Sequence, residues 1–172
     1  MDISRSSRMI MFHIPDDPKI LEALGTMALQ HAQLDYILRM TIKTLGEVSV
    51  QQALDATAFG GSAILRERIR KLAKQRLGEG NALLQLQALL ERCRRATEKR
   101  NSLIHNIWAR ELDGAPQIRT EDHGWKPIPS VDDVKELSME LGSLINELNN
   151  ARLDGFLSEA ISANIEVLHC VE

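Results

Sequence analysis

Hydrophobic residues recur at helical spacing along most of the chain, and the spacing breaks down between Glu111 and Pro129. Prolines and glycines are frequent in that interval, which predicts a turn-rich insertion or a small hairpin around Ile118. The periodic segments predict helices over Pro18 to Gly46, Ser49 to Thr57, Ser62 to Leu77, Asn81 to Trp108, and Ser130 to about Asn150. A weaker helical pattern continues as far as Leu168.

Short polar motifs mark where two of these helices begin. Asp17 precedes Pro18, an N-cap carboxylate before a first-turn proline, and Ser130 and Asp133 have the spacing of a capping box. We therefore expect an all-α fold, an up-and-down bundle of four or five helices with the insertion before the last long helix. A chain of 172 residues is the right size for one core, so residues 1–172 are predicted to form a single helical domain.

The composition favours a soluble, cytoplasmic protein. The apolar patch from Met9 to Phe12 is too short for a signal sequence or a membrane-spanning segment. Cys93 and Cys170 are isolated from each other, and Cys93 falls on an apolar helix face, so a buried free thiol is expected there. The sequence has no metal-binding motif and no glycine-rich phosphate loop, and neither a metal nor a cofactor is expected.

The longest helical pattern places Arg100, Asn101 and His105 where further apolar residues are expected. On an ideal helix, with Leu86 as the reference direction, Arg100 lies at about −40°, Asn101 at about +60° and His105 near +100°. The buried stripe itself is predicted to consist of Leu86, Leu90, Cys93, Thr97, Ile104 and Trp108, with Cys93 and Thr97 as packing residues. A guanidinium in or beside such a stripe needs a partner, a ligand or a cleft.

The first helix has a matching irregularity. His31 and Asp35 lie about 20° on either side of the direction of Leu24, in the middle of the apolar face and one turn apart. We expect the two helices to face each other and to form a shared polar site, in which Asp35 accepts from Arg100, Asn101 or His105. The alternative is that His31 and Asp35 satisfy each other within the core.

Positive charge is concentrated around these residues. Residues 62–110 contain twelve Lys or Arg and four Glu, a local net charge of +8, whereas the rest of the chain has nine basic and twenty acidic residues, a net charge of −11. These two values add to the total of −3. Such clustering favours an anionic ligand, above all a phosphodiester, although the arginines could also form ordinary solvated helix faces.

The arrangement of Arg100, Asn101 and His105 late in a long helix, followed by Trp108, resembles the R-x4-6-H motif of the HEPN superfamily. The resemblance covers roughly Pro18 to Leu157, and only the motif is specific. It implies a helical bundle that cleaves RNA without a metal ion. Arg100, Asn101 and His105 would be catalytic, with Asp35 and His31 as supporting residues; Asp35 stands where the family usually has a glutamate.

The resemblance also implies partners. Two protomers would form a homodimer with a composite site, and a small nucleotidyltransferase-like antitoxin could restrain a toxin or defence ribonuclease of this kind. Arg100 and His105 are about 140° apart on an ideal helix, so they meet within one chain only through a local distortion or the reach of the arginine. The alternatives are a non-catalytic HEPN-like module that binds RNA, nucleotides or proteins, and, third, a structural scaffold.

Overall fold

The computed structural model describes residues 10–111, 114–120 and 124–169. The described helices are α1 (Pro18–Gly46), α2 (Val50–Asp55), α3 (Ser62–Leu77), α4 (Asn81–Ile104), α5 (Val131–Leu153) and α6 (Phe156–His169). The described strands are β1 (Ile10–Phe12), β2 (Ile107–Glu111), β3 (Gln117–Arg119) and β4 (Trp125–Pro127). The chain is therefore mostly helical, as predicted, but a small sheet accompanies the helices, so the all-α expectation is confirmed only in part.

The helix starts follow the polar motifs in the sequence. The Asp17 carboxylate accepts a hydrogen bond from the backbone N–H of Lys19 at 2.9 Å, and Pro18 occupies the first turn of α1. Ser130 and Asp133 form the predicted capping box at the start of α5. These contacts satisfy backbone donors that the first turn of a helix leaves without partners, which is why both helices begin where the sequence predicts.

Helix α4 is shorter than predicted. It ends at Ile104, and the chain enters β2 at Ile107, so the prediction that Ile104 and Trp108 extend the buried stripe is wrong. Ile104 is 38% exposed, and the Trp108 indole N–H donates to the carbonyl of Leu103 at 2.8 Å. β-Branched and aromatic residues favour strands, and β2 has a neighbour on each side to satisfy its backbone groups.

The four strands form one antiparallel sheet in the order β1-β2-β3-β4. Ile118 lies at the centre of β3, paired with Trp108 on one side and Lys126 on the other, which confirms the predicted hairpin around Ile118. The sequence did not predict β1, which pairs Phe12 with Ala109 of β2. A three-residue strand is too short to show an alternating pattern, so its partner, and not its own sequence, determines its structure.

The core lies between α1 and the other long helices. Helix α1 packs most extensively against α5 and then against α3, and α4 packs against α5 and α3. The largest fully buried side chains come from all of these helices: Met27, Leu34, Leu38, Leu65, Ile69, Leu86, Leu90, Val134, Leu141, Leu144 and Leu148, together with Leu157 of α6. This packing holds the inner face of α1 against α3 and α4, where the polar residues described below lie.

An ionic clamp joins α4 to α5. The Arg92 guanidinium donates to both carboxylate oxygens of Glu140, at 3.0 and 3.2 Å, and to both of Glu147, at 2.6 and 3.0 Å. These carboxylates raise the pKa of Arg92 above its ordinary value. Because both partners belong to α5, the clamp fixes how these two helices lie along each other.

Cys93 is a buried free thiol, as predicted. Burial raises the pKa of its thiol to about 12, so the sulfur stays protonated at neutral pH. Cys170 and His123 lie outside the described residues. Within the described ranges, no helix is long and apolar enough to cross a membrane.

Candidate functional site

The end of α4 brings Arg100, Asn101 and His105 together within one chain. Arg100 Nη1 lies 3.1 Å from Asn101 Oδ1 and 3.1 Å from Nε2 of His105. His105 is the C-cap residue, with near-helical torsion angles of φ −99° and ψ −16°, and its N–H bonds to the carbonyl of Asn101 at 2.9 Å. The backbone remains nearly helical up to His105, so the two residues keep about the 140° separation that an ideal helix gives to a five-residue spacing. They meet because the arginine side chain is long enough to span that separation.

The three side chains differ in exposure. Asn101 and His105 are exposed, whereas Arg100 is half-buried. The prediction that Asn101 lies in or beside a buried stripe is therefore wrong, since the helix has reached its end and leaves one side of this turn uncovered. Arg100 Nε is shielded from solvent and has no hydrogen-bond partner among the described residues. The guanidinium N–H groups that these two contacts leave unused, other than the shielded Nε, could bind an oxygen of a ligand beside the exposed histidine.

A second polar cluster lies behind this one, on the inner face of α1. Asp35 Oδ1 accepts a hydrogen bond of 2.6 Å from the hydroxyl of Ser62, the first residue of α3, and Asp35 Oδ2 lies 4.0 Å from Nδ1 of His31. The expectation that Asp35 accepts from Arg100, Asn101 or His105 is not met, because Ser62 takes that place. No signal in the sequence distinguishes this serine from the other residues that begin α3.

His31 connects α1 to α4 and, through it, to α3. Its Nε2 lies 3.3 Å from the Thr97 hydroxyl, which also accepts a hydrogen bond of 3.4 Å from Arg66 Nη1. Thr97 is therefore a polar link, and its prediction as a packing residue is wrong. Arg66 was not predicted as a site residue, although it follows Leu65 and precedes Ile69 by three positions on the apolar face of α3.

The two clusters also influence each other electrostatically. Burial lowers the pKa of His31 below its ordinary value; the nearby Asp35 carboxylate opposes this shift, and the positive charges of Arg100 and Arg66, and of His105 when it is protonated, reinforce it. His31 is therefore neutral at neutral pH. Its pKa therefore responds to Arg66 and also to the charged groups at the exposed end of α4.

Much of the positive charge between residues 62 and 110 is already neutralised. The ion pairs of the described residues include Arg70 and Lys71 with Glu67, Arg76 with Glu47, Arg92 with Glu140 and Glu147, and Arg94 with Glu91 and Glu98. Neither Arg66 nor Arg100 belongs to any of these pairs. The arginines without a carboxylate partner among the described residues thus include the two that act electrostatically on His31, and unpaired cations of this kind favour an anionic ligand.

Other surfaces offer less for chemistry. A groove of about 670 Å³ between α4 and α5 is lined by both signs of charge, including Arg95, Lys99 and Glu136, and Arg100 and His105 do not contribute to it. In the part of the chain that the structure describes, no three His, Cys, Asp or Glu side chains are placed to hold a metal ion. The end of α4, where Arg100, Asn101 and His105 meet, is the candidate functional site.

Comparisons with protein-family models, with curated proteins and with solved structures find no match to this chain.

Proposed function

We propose that this protein is a metal-independent endoribonuclease of the HEPN type, with Arg100, Asn101 and His105 as its catalytic residues. One observation carries the proposal: Arg100 Nη1 and His105 Nε2 lie 3.1 Å apart at an exposed helix end, with Asn101 beside them. A guanidinium and an imidazole at this distance can act on the same phosphodiester, one on its charge and the other on its protons. His31 and Asp35, on the inner face of α1, would be supporting residues.

The reaction needs three actions at one phosphate. A base removes the proton of the ribose 2′-hydroxyl, whose oxygen attacks phosphorus, while the bond to the 5′-oxygen breaks and that oxygen takes up a proton. The products are a 2′,3′-cyclic phosphate and a 5′-hydroxyl. Arg100 would stabilise the charge on the phosphate oxygens through its planar fork of donors, and Asn101 would contact the phosphate or hold the arginine. His105 would transfer the protons, because imidazoles exchange protons near neutral pH.

The contact between Arg100 and His105 also assigns the state of the imidazole. A guanidinium has donors only, so His105 Nε2 accepts, and the ring is neutral with its proton on Nδ1. A bound phosphate competes for the Arg100 donors because a charged acceptor forms a stronger hydrogen bond than a neutral one. Substrate binding would then free the Nε2 lone pair for the 2′-hydroxyl, so that the base becomes available only when RNA is present.

A homodimer would complete the site. A single His105 cannot conveniently act as base and acid in one step, whereas a two-fold interface supplies two copies of Arg100 and His105. Both residues stand at the surface end of α4, where a second protomer could approach them. We extend the proposal on the HEPN resemblance to a cytoplasmic toxin or defence component restrained by a small nucleotidyltransferase-like antitoxin.

A pair of matched oligonucleotides tests the reaction. RNA and DNA of the same sequence are incubated with the purified protein in EDTA, together with an RNA that is 2′-O-methylated throughout. The proposal requires cleavage of the RNA alone, since the nucleophile is the 2′-hydroxyl. Cleavage of DNA, or loss of RNA cleavage in EDTA, would contradict it. RNA binding without cleavage over a broad panel of sequences would favour the non-catalytic binding module instead.

A further inference from the structure

Arg66 is a cation that is almost completely buried, and none of the proposed catalytic steps uses it. Its side chain belongs to the inner face of α3, and the residue is only 6% exposed. Its one hydrogen bond among the described residues goes to Thr97 at 3.4 Å, and it takes part in no ion pair of that set. Burial lowers the pKa of Arg66, which shows that its charge is held at a cost in free energy. An apolar side chain would avoid that cost at this position.

The hydrogen bonds that begin at Arg66 have a direction. Arg66 donates to the Thr97 oxygen, so the Thr97 hydrogen can point to Nε2 of His31. His31 then accepts at Nε2 and carries its proton at Nδ1, which faces the Asp35 carboxylate at 4.0 Å. Ser62 donates to the other oxygen of that carboxylate. The chain of contacts thus runs from a cation on α3, through α4 and α1, to an anion.

His31, a member of that chain, also interacts electrostatically with the exposed site. The charged and titratable groups that act on it are Asp35 from α1, Arg66 from α3, and Arg100 and His105 from α4. Thr97 and Arg100 are three residues apart and hence neighbours on one side of α4. A change in the charge of His31 therefore acts on Arg100 through their electrostatic interaction.

We propose that Arg66 is a positioning residue of the Arg100–His105 site, which acts through Thr97 to keep His31 neutral and protonated on Nδ1. In that state His31 and Ser62 hold Asp35, so that the carboxylate does not pair with Arg100. Arg100 remains available to a phosphate. Without Arg66 the Thr97 hydroxyl is free to turn, His31 can take up a second proton, and Asp35 is no longer held in one place. The consequence for catalysis rests on the proposed function, whereas the state of His31 does not.

NMR titration of the histidine side chains tests the inference without any activity assay. The signals of His31 are identified by their loss in His31→Asn, and the titration is then compared in wild type, Arg66→Met and Lys74→Met. We expect the Nδ1-protonated tautomer in wild type, an upward shift of the His31 pKa in Arg66→Met, and no change in Lys74→Met, which removes a charge from the exposed side of α3. An unchanged His31 titration in folded Arg66→Met would overturn the proposal.

Two further variants test the proposal even if Arg66→Met does not fold. Arg66→Lys keeps the charge and should keep His31 neutral, and Thr97→Val removes the hydroxyl in a side chain of similar shape and should raise the His31 pKa. A Thr97→Val protein whose His31 keeps the wild-type pKa and tautomer would contradict the proposal. A wild-type His31 that is protonated on Nε2 would do the same.

Cleavage measurements then test the catalytic consequence. Arg66→Met should lose up to about 100-fold in RNA cleavage, as misplacement of a catalytic group does, and its pH–rate profile should gain an ionisation that follows the His31 titration. Arg66→Lys should recover both. A purely structural role would lower the melting temperature and leave the profile unchanged, which would overturn the positioning role. If wild type cleaves no RNA at all, the proposed function fails, and the NMR result still decides whether Arg66 controls His31.

Discussion

Arg100 and His105 are five residues apart in the sequence, and their side chains meet at 3.1 Å between Nη1 and Nε2 at the end of α4. In the middle of a helix, residues five apart usually point in different directions, because only residues three or four apart are neighbours on the helix surface. Here the helix stops directly before His105, and the chain turns into β2 two residues later. The sheet therefore determines where the helix ends, and the length of the arginine side chain brings Arg100 to His105 at that end.

Replacing Arg100 with lysine should reduce cleavage more than RNA binding. Lysine keeps the charge but lacks the planar fork of donors, so the stabilisation of the transition-state phosphate should be lost, by about 100-fold in rate. The measurement is kcat and KM on one RNA substrate, with Arg95→Lys as the control because Arg95 is exposed on the same helix. Equal losses in both variants would mean that Arg100 has no special role.

Replacing Ser62 with alanine should destabilise the fold by about 1–3 kcal/mol, because the partly buried Asp35 carboxylate would lose its 2.6 Å donor. Urea unfolding measures the change. Ser102→Ala is the matched control, since exposed Ser102 donates only to the carbonyl of Lys99 within its own helix. If both variants lose the same stability, the contact between Ser62 and Asp35 is not an important link between α1 and α3.

The pKa shift of His31 predicts an acid-sensitive fold. Since the folded-state pKa lies below the ordinary value of 6.5, the unfolded chain binds the proton more readily. The stability that neutral His31 contributes is therefore fully present above pH 6.5 and is lost as the pH falls from 6.5 through the folded-state pKa. Urea unfolding across this range measures it. The slope should be smaller in His31→Gln, and an equal slope in both proteins would rule out His31 as the cause.

The Arg92 clamp should contribute measurably to stability. Arg92→Met removes four hydrogen bonds to Glu140 and Glu147 and leaves the two carboxylates close to each other. A surface pair contributes up to about 1 kcal/mol, and a network with bidentate geometry contributes more, so a loss of about 1–2 kcal/mol is expected. Thermal unfolding at low and high salt measures the effect, with Arg95→Met as the control. A loss no greater than that of the control would show that the clamp is energetically neutral.

The proposed composite site predicts a homodimer. Sedimentation of the wild-type protein at micromolar concentration should give twice the mass of the chain. A charged substitution at the exposed end of α4, Ile104→Glu, should produce monomers that bind little RNA and do not cleave it, because a buried charge opposes association. A wild-type monomer that cleaves RNA at the same concentration would contradict the composite site.

The sequence predicted the helices well because their signals are local. Caps such as Asp17 and Ser130 act within one turn, and the apolar stripe of α1 needs only its own spacing. The end of α4 was not predictable in the same way. Trp108 continues the helical stripe in sequence but lies in β2. Pairing with β1 and β3, which are more than 100 residues apart in the sequence, outweighs the local pattern.

The candidate site shows the same contrast between local signals, which the sequence reveals, and contacts between distant segments, which it does not. Arg100, Asn101 and His105 were singled out as polar residues in an apolar helix, and the structure brings them together. His31 and Asp35 were singled out in the same way, but their partners, Thr97 and Ser62, were not. A hydroxyl on a helix face gives no sequence signal that distinguishes a hydrogen-bond partner from a packing residue. Arg66 could have been found, since a helical wheel of α3 places it on the buried face.

The most direct test of the account is the cleavage of a fluorescent RNA panel in EDTA by wild type and by His105→Ala, with analysis of the product ends. His105 is exposed, so the variant should fold and still bind RNA. The proposed mechanism predicts that wild type leaves 2′,3′-cyclic phosphate and 5′-hydroxyl ends, and that His105→Ala loses at least about 100-fold in rate, as expected for removal of a general acid–base. Equal cleavage by both proteins, or wild-type products with 3′-hydroxyl and 5′-phosphate ends, would contradict it.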